Sequence, residues 1–256
     1  MRRLAIVLMS VLVLSGCAQL DLPTIEFPEI DVGPVTGTPA PGDGTDGDGA
    51  TGDGATGDAA AALATLPVKG RAPKTGYDRG EFGQRWADVD RDGCDQRNQV
   101  LARDLNDVGF RPGTRDCVVL SGALLDPYTG EGVPFLRGER TSADVQIDHV
   151  VALSNAWQTG ARQLTEDDRE LLANDPLNLL AVDGPTNGSK GDGDAATWLP
   201  PARGYWCEFV ARQVAVKAKY RLWVTPPEAE TIGTILDGCP GQPLPPDTGI
   251  AVAATS

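Results

Sequence analysis

Between residues 18 and 66 the chain carries nine carboxylates and neither lysine nor arginine, and this stretch limits where a fold can form. Its second half runs through repeated Gly-Asp pairs from Gly42-Asp43-Gly44 to Gly57-Asp58, after a Pro-rich portion. With few large apolar side chains it cannot offset the entropy of ordering itself, so it reads as a self-repelling linker. The Gly-Asp pairs lack the nonapeptide period with apolar strand positions that a calcium-binding repeat needs. A fold is thereby confined to residues 67–240, a span of ordinary domain size that holds all five tryptophans, from Trp86 to Trp223. Residues 241–256 read as a flexible tail.

The first residues are an address. Arg2 and Arg3 precede an apolar run, Leu4 to Leu14, that is too short for a comfortable membrane anchor and reads as the core of a signal peptide. It ends in Leu14-Ser15-Gly16-Cys17, which resembles the bacterial lipobox. That resemblance implies a signal peptide over residues 1–16 and a lipid on Cys17. The domain would then sit extracytoplasmically, held by its acyl chains on the outer face of the cell membrane. Four cysteines remain, an even number that in an exported domain predicts two disulfides. Three pairings are possible. Closing local loops favours Cys94–Cys117 and Cys207–Cys239. Zinc is the rival use, but the spacings are wide and contain no CxxC.

The net charge of -14 argues against casual binding to nucleic acid, since phosphate contacts need lysine and arginine. Residues 67–240 alone hold 26 acids and 20 bases. Such a domain can still bind DNA through a local basic groove and a metal ion, although its overall field would not steer DNA inward.

Periodicity and turn chemistry give the elements. Tyr77 to Trp86 reads as irregular. A helix is predicted over Asp95–Asn106, stopped by Gly109, and a strand over Cys117–Gly122. The turn Asp126-Pro127-Tyr128-Thr129-Gly130 joins that strand to Val133–Leu136 as a hairpin. Val145-Gln146-Ile147 is a short strand leading to Asp148-His149. Helices are predicted over Leu153–Gln163 and from the N-cap Thr165 to Ala173, then a strand over Asn178–Val182. Asn187 to Lys190 opens a further helix or turn. A long helix spans Tyr205–Leu222, and Thr225-Pro226-Pro227-Glu228 is a capping box for a last helix to about Asp237.

The chemistry lies in three ordered blocks: Gln146-Ile147-Asp148-His149-Val150-Val151-Ala152-Leu153, then Asn178-Leu179-Leu180-Ala181-Val182, then Thr186-Asn187-Gly188-Ser189-Lys190-Gly191-Asp192. They resemble the HNH endonucleases, whose core is a ββα-metal fold. The nearest likeness is the branch seen in secreted actinobacterial proteins and at the C-terminus of GmrSD-type modification-dependent restriction enzymes. The likeness covers most of residues 75–239, with Gly93-Cys94-Asp95, Arg97-Asn98, the Asp126–Gly130 turn and Asp194–Pro201 as further landmarks. It implies an α+β domain in which His149 is the general base and Asp148 a metal ligand. Asn178 matches the middle Asn, which holds the loop carrying the base, and Asn187 matches the final metal ligand. Lys190 and Arg97 are candidate phosphate contacts.

These residue types suit phosphodiester hydrolysis. Histidine is poised to take a proton from water near neutral pH. A hard cation with oxygen ligands can stabilise charge on the phosphorane and the leaving oxygen. The single histidine excludes two-histidine zinc hydrolases and points to Mg2+ or Mn2+ on an Asp/Asn site. The expected substrate is DNA, with RNA as an alternative.

Two rival readings belong to other classes. One is an inactive HNH-like scaffold that binds an envelope ligand, supported by the acidity of the domain. The other is a calcium-dependent binding protein, resting on Asp88-Val89-Asp90-Arg91-Asp92-Gly93, which resembles the start of an EF-hand loop. Position twelve there is Gln99 rather than Glu. Arg212, Lys217, Lys219 and Arg221 share one predicted helix and read as its solvated face or a modest groove wall.

Overall fold

A computed structural model describes residues 58–247 and 250. The expected signal peptide, Cys17, most of the linker and the last part of the tail lie outside the described residues.

The described chain opens with helix α1 (Ala59–Thr65), passes a 3-10 turn at Arg79–Phe82, and reaches α2 (Gln96–Asp104). Three strands follow: β1 (Leu105–Phe110), β2 (Val119–Leu125) and β3 (Gly132–Leu136), antiparallel in the order β1-β2-β3. A separate two-stranded sheet pairs β4 (Val145–His149) antiparallel with β5 (Leu179–Asp183). Between those two strands the chain forms α3 (Leu153–Gln158) and α4 (Glu166–Asn174). α5 (Gly184–Lys190) follows β5 directly, and α6 (Trp206–Lys219) and α7 (Pro226–Asp237) complete the domain. The arrangement is α+β, with β4, β5 and α5 forming a ββα unit.

Strand β5 reads as an unbroken apolar run because both of its faces are covered. Leu179 and Ala181 join the core under α2 and the three-stranded sheet, while Leu180 and Val182 join the core of α1, α6 and α7. α6 serves two cores in the same way. Phe209, Val210 and Val214 pack with α1 and α7, and Ala215 and Val216 pack with α3 and α4. At about 25 cal/mol per Å2 of apolar surface removed from water, this double burial makes β5 and α6 the main stabilising elements. The site is built on β4, whose partner β5 is covered on both faces.

Disulfides Cys94–Cys117 and Cys207–Cys239 are both present. The first ties the segment before α2 to the approach to β2, and the second ties the start of α6 to the end of α7. Thr225 and Glu228 form the expected capping box on α7.

Other expectations are corrected. The linker was read as far as residue 66, yet Asp58 caps α1 by accepting from the amides of Ala60 and Ala61, and Ala59 is fully buried. Low complexity concealed a good helix former, because alanine loses little on entering a helix. The fold also runs past residue 240, since the Ala59 amide donates to the Gln242 carbonyl and Leu244 packs on the core. β1 takes residues read as the end of α2. Its polar sequence and irregular pairing with β2 hide the period of two. α3 stops at Gln158 because Gly160 turns the chain at φ 133°.

The basic residues of α6 do not form a groove wall. Lys217 is 1% exposed and donates to the Glu228 carboxylate, the Asn155 amide oxygen and the Trp223 carbonyl. Lys219 pairs with Asp175 and Asp247, and Arg212 donates to the Leu177 carbonyl.

Gly184 opens α5 where the chain before β4 passes closest. A Cβ there would collide with the Ala143 carbonyl oxygen. Gly184→Ala is expected to destabilise the domain by about 1–3 kcal/mol, read by urea denaturation, through overpacking at the joint that seats α5.

Candidate active site

β4 and α5 meet through two matched pairs. Gln146 and Asp148 are two apart on a strand and share a face, while Asn187 and Lys190 are three apart on a helix and do the same. Asn187 Nδ2 donates to Gln146 Oε1 at 2.9 Å. Lys190 Nζ donates to Asp148 Oδ1 at 3.0 Å and to the His149 carbonyl at 2.9 Å. The Asp148 carboxylate also accepts from the Tyr128 hydroxyl at 2.6 Å. Burial, then the adjoining Asp148 charge, pushes the Tyr128 phenol well above its ordinary pKa, so this hydroxyl stays a donor.

His149 leaves β4 on the opposite face, toward the end of α4. Its Nε2 lies 2.9 Å from the Ala173 carbonyl oxygen, which can only accept. The hydrogen is therefore on Nε2, and Nδ1 carries the lone pair. Burial, joined by the positive charges of Arg79, Lys190 and Arg85, lowers the pKa of His149 to about 3 against the opposing pull of the Ala173 carbonyl. The imidazole is neutral across the physiological range. The Trp86 indole lies nearly parallel to it, with centroids 6.4 Å apart. Trp86 itself has φ 59°, a left-handed conformation that costs an L-residue about 1–2 kcal/mol.

Asn178 is fully buried behind His149. Its Oδ1 accepts from the Val151 amide at 2.8 Å, its Nδ2 donates to the Val151 and Leu172 carbonyls, and its own carbonyl accepts from Val150. The Asn178 side chain thus ties Val151 to α4, while its main-chain carbonyl holds Val150.

A cleft of about 540 Å3 opens over this arrangement, bordered by Asp148, His149, Asn187 and Asp192, with Lys74 and Arg79 at its edge. Asp192 accepts from Ser154 and Lys74, which hold its carboxyl below its ordinary pKa. The cleft thus presents two carboxylates and an amide whose nitrogen is already committed. These are hard oxygen donors, and they fit a hard divalent cation better than they fit zinc. Lys190 counts against tight binding of such a cation, because its ammonium already neutralises Asp148.

Three expected site residues, Asp148, His149 and Asn187, come together at this cleft. Asn178 stands behind them. Lys190 does not face a phosphate: its side chain is fully enclosed and directs its donors at Asp148 and the His149 backbone. Arg97 borders a neighbouring cleft that shares Arg79, Ile147 and Asn187 with the first. Asp88, Asp90 and Asp92 form a separate surface cluster, where Asp88 accepts from the amides of Asp92 and Gly93, and Gln99 donates to Asp90 and Asp92. The sequence reading missed Tyr128, Trp86, Arg79, Arg85 and Asp192. Tyr128 was visible only as part of a turn, and the two arginines lie in a segment without any period.

A model of the C-terminal domain of GmrSD restriction endonucleases matches residues 95–235. An uncharacterized secreted protein of Arthroderma benhamiae is 36% identical over 179 residues, which covers 69% of this chain and 82% of that protein. No solved structure matches significantly.

The lone histidine makes its protonation directly readable by 15N NMR. The folded pKa of about 3 lies below the unfolded value near 6.5, so folding stability contributed here is full above pH 6.5 and is lost as pH falls toward 3. The imidazole is expected to remain the neutral Nε2–H tautomer from pH 8 down to pH 5. A titration midpoint near 6.5 in the folded protein would refute the enclosed geometry.

Proposed function

This chain belongs to the family of the C-terminal domains of GmrSD restriction endonucleases, and from that membership we propose a metal-dependent endonuclease of DNA in which His149 is the general base. The observation that carries the reading is the His149–Ala173 contact, which commits Nε2 as a donor and reserves Nδ1 for a proton from water. Water held in the cleft attacks phosphorus as Nδ1 takes its proton, and the bond to the 3′-oxygen breaks to leave a 5′-phosphate. A pKa of about 3 makes His149 a weak base before substrate binds. An entering phosphodiester anion stabilises the imidazolium and raises that pKa, most strongly as charge builds on phosphorus.

Asp148 and the amide oxygen of Asn187 would hold the cation, Mg2+ or Mn2+, which supplies stabilisation of charge on the phosphoryl and leaving oxygens. Tyr128 and Lys190 fix the Asp148 carboxylate in place beforehand. RNA shares the same phosphodiester chemistry and is the alternative substrate. The domain works outside the cytoplasm, a reading supported by its two disulfides and by the secreted description of the fungal relative. The lipid on Cys17 would tether it to the membrane.

The test is plasmid cleavage by the purified full chain with Mg2+, Mn2+, Ca2+ or EDTA, beside His149→Ala. Cleavage should need Mg2+ or Mn2+ and fall about 100- to 10,000-fold in the variant, with circular dichroism unchanged. A folded wild-type protein that leaves plasmid, single-stranded DNA and RNA intact under every metal sinks the reading.

A further inference from the structure

We propose that the substrate strand at the cut is unpaired, with one nucleobase seated against Trp86 and its flanking phosphates held by Arg79, Arg85 and Arg97. The inference rests on the hydrolytic reading of His149 and names the substrate class of that site.

Two clefts flank the catalytic one, and their chemistry differs. The smaller, about 190 Å3, is bordered by Phe82, Trp86, Leu153, Ala173 and the His149 ring. Those groups suit the face of an aromatic ring, and Arg79 and Arg85 border the same cleft. The larger, about 510 Å3, is bordered by Arg79, Arg85 and Arg97 against one carboxylate, Glu139, together with Gln146 and Asn187. The arginines suit phosphate. Arg79, Arg85 and Trp86 border both clefts, so an apolar seat and a cationic track lie side by side, next to the base. A nucleotide strand alternates in the same way, between flat base and charged phosphate.

The cations are available. Among the described residues no carboxylate lies within salt-bridge distance of Arg79, Arg85 or Arg97, whereas Arg71, Lys74, Arg103, Arg169 and Lys190 are all paired. The Arg85 and Arg97 guanidinium groups lie 5.2 and 6.0 Å from the Trp86 ring centre, so the indole is framed by charge at the cleft. Arg97 stays half-buried there although burial and its neighbours Arg137 and Arg85 disfavour its charge. A phosphate relieves that repulsion.

Pairing state follows from two costs. A base in a duplex has both faces covered, and reaching the apolar seat requires unstacking it. A duplex also brings one charge per about 1.7 Å of axis, and the residues 67–240 that carry this site hold 26 acids against 20 bases. Three arginines can offset a single strand's charge locally, but not a duplex's.

The test uses the full chain in EDTA, so that nothing turns over, with a short single-stranded DNA carrying 2-aminopurine and the same sequence as a duplex. The single strand should bind at least about tenfold tighter and its 2-aminopurine should be quenched. Trp86→Leu should abolish the quenching and weaken binding about tenfold, while Trp86→Phe retains both. Arg85→Gln, at an exposed position that leaves the fold intact even should Trp86→Leu unfold, should reduce the slope of log K against log salt by about 0.7. Equal binding of single strand and duplex overturns the proposal, as does an unchanged salt slope in Arg85→Gln. Cleavage without this binding pattern overturns it and leaves His149 as the base. This binding pattern without cleavage under any metal upholds the strand site and overturns the hydrolytic reading.

Discussion

The buried pair of Lys190 and Asp148 is the joint on which the site depends. Placing either charge alone in that environment would cost several kcal/mol. Each is instead satisfied by more than the other: Asp148 also accepts from Tyr128, and Lys190 also donates to the His149 carbonyl. The pair therefore fixes three things at once. It docks α5 on β4, it orients the carboxylate, and it pins the backbone of His149. Tyr128 extends the same joint into the core, where its ring packs edge-on to Trp198 and Phe209. The turn between β2 and β3 and the first half of α6 are thus coupled to the Asp148 carboxylate through one phenol.

A second constraint acts on the opposite face of β4. His149 is held neutral by burial and by nearby cations, in a chain whose net charge is -14. The local field at the imidazole is the reverse of the global one. Negative charge entering the cleft is therefore stabilised where it matters, while the acidic remainder of the domain lowers the affinity for nucleic acid at long range. Lys190 would have the corresponding effect on a cation proposed to bind Asp148, since its ammonium already pairs with that carboxylate. On the proposed reading, cation and phosphate would each bind weakly alone and would favour each other's binding. This is the behaviour expected of Mg2+, which keeps much of its hydration and is commonly held by one or two carboxylates together with substrate phosphate.

How much of this was legible in the sequence follows from how local each feature is. β4, β5 and α5 show themselves in apolar runs and a turn, and three blocks in order carry the family likeness. Both disulfide pairings follow from the preference for short loops. β1 was hidden because Asn106, Asp107 and Gly109 interrupt its alternation, and α1 because an alanine run in an acidic linker looks like low complexity. Lys190 was misjudged for a different reason. Its position beside the motif suggested a phosphate contact, but the i, i+3 relation to Asn187 turns it inward onto β4. Tyr128, Arg79, Arg85 and Trp86 reach the site only through tertiary packing, and no spacing along the chain encodes that.

The same distinction bears on which parts of the site can vary. The Asn178 side chain makes three hydrogen bonds to backbone groups with no solvent exposure, so each one lost would leave a buried polar group unsatisfied. Asn187 is half-exposed and makes one side-chain hydrogen bond, to Gln146. The fold constrains the first strongly and the second weakly. A requirement for asparagine at position 187 would therefore come from what its oxygen meets in the cleft rather than from stability. Position 178 cannot make that separation, because losing its hydrogen bonds would displace the backbone that follows His149 and so disturb structure and cleft together.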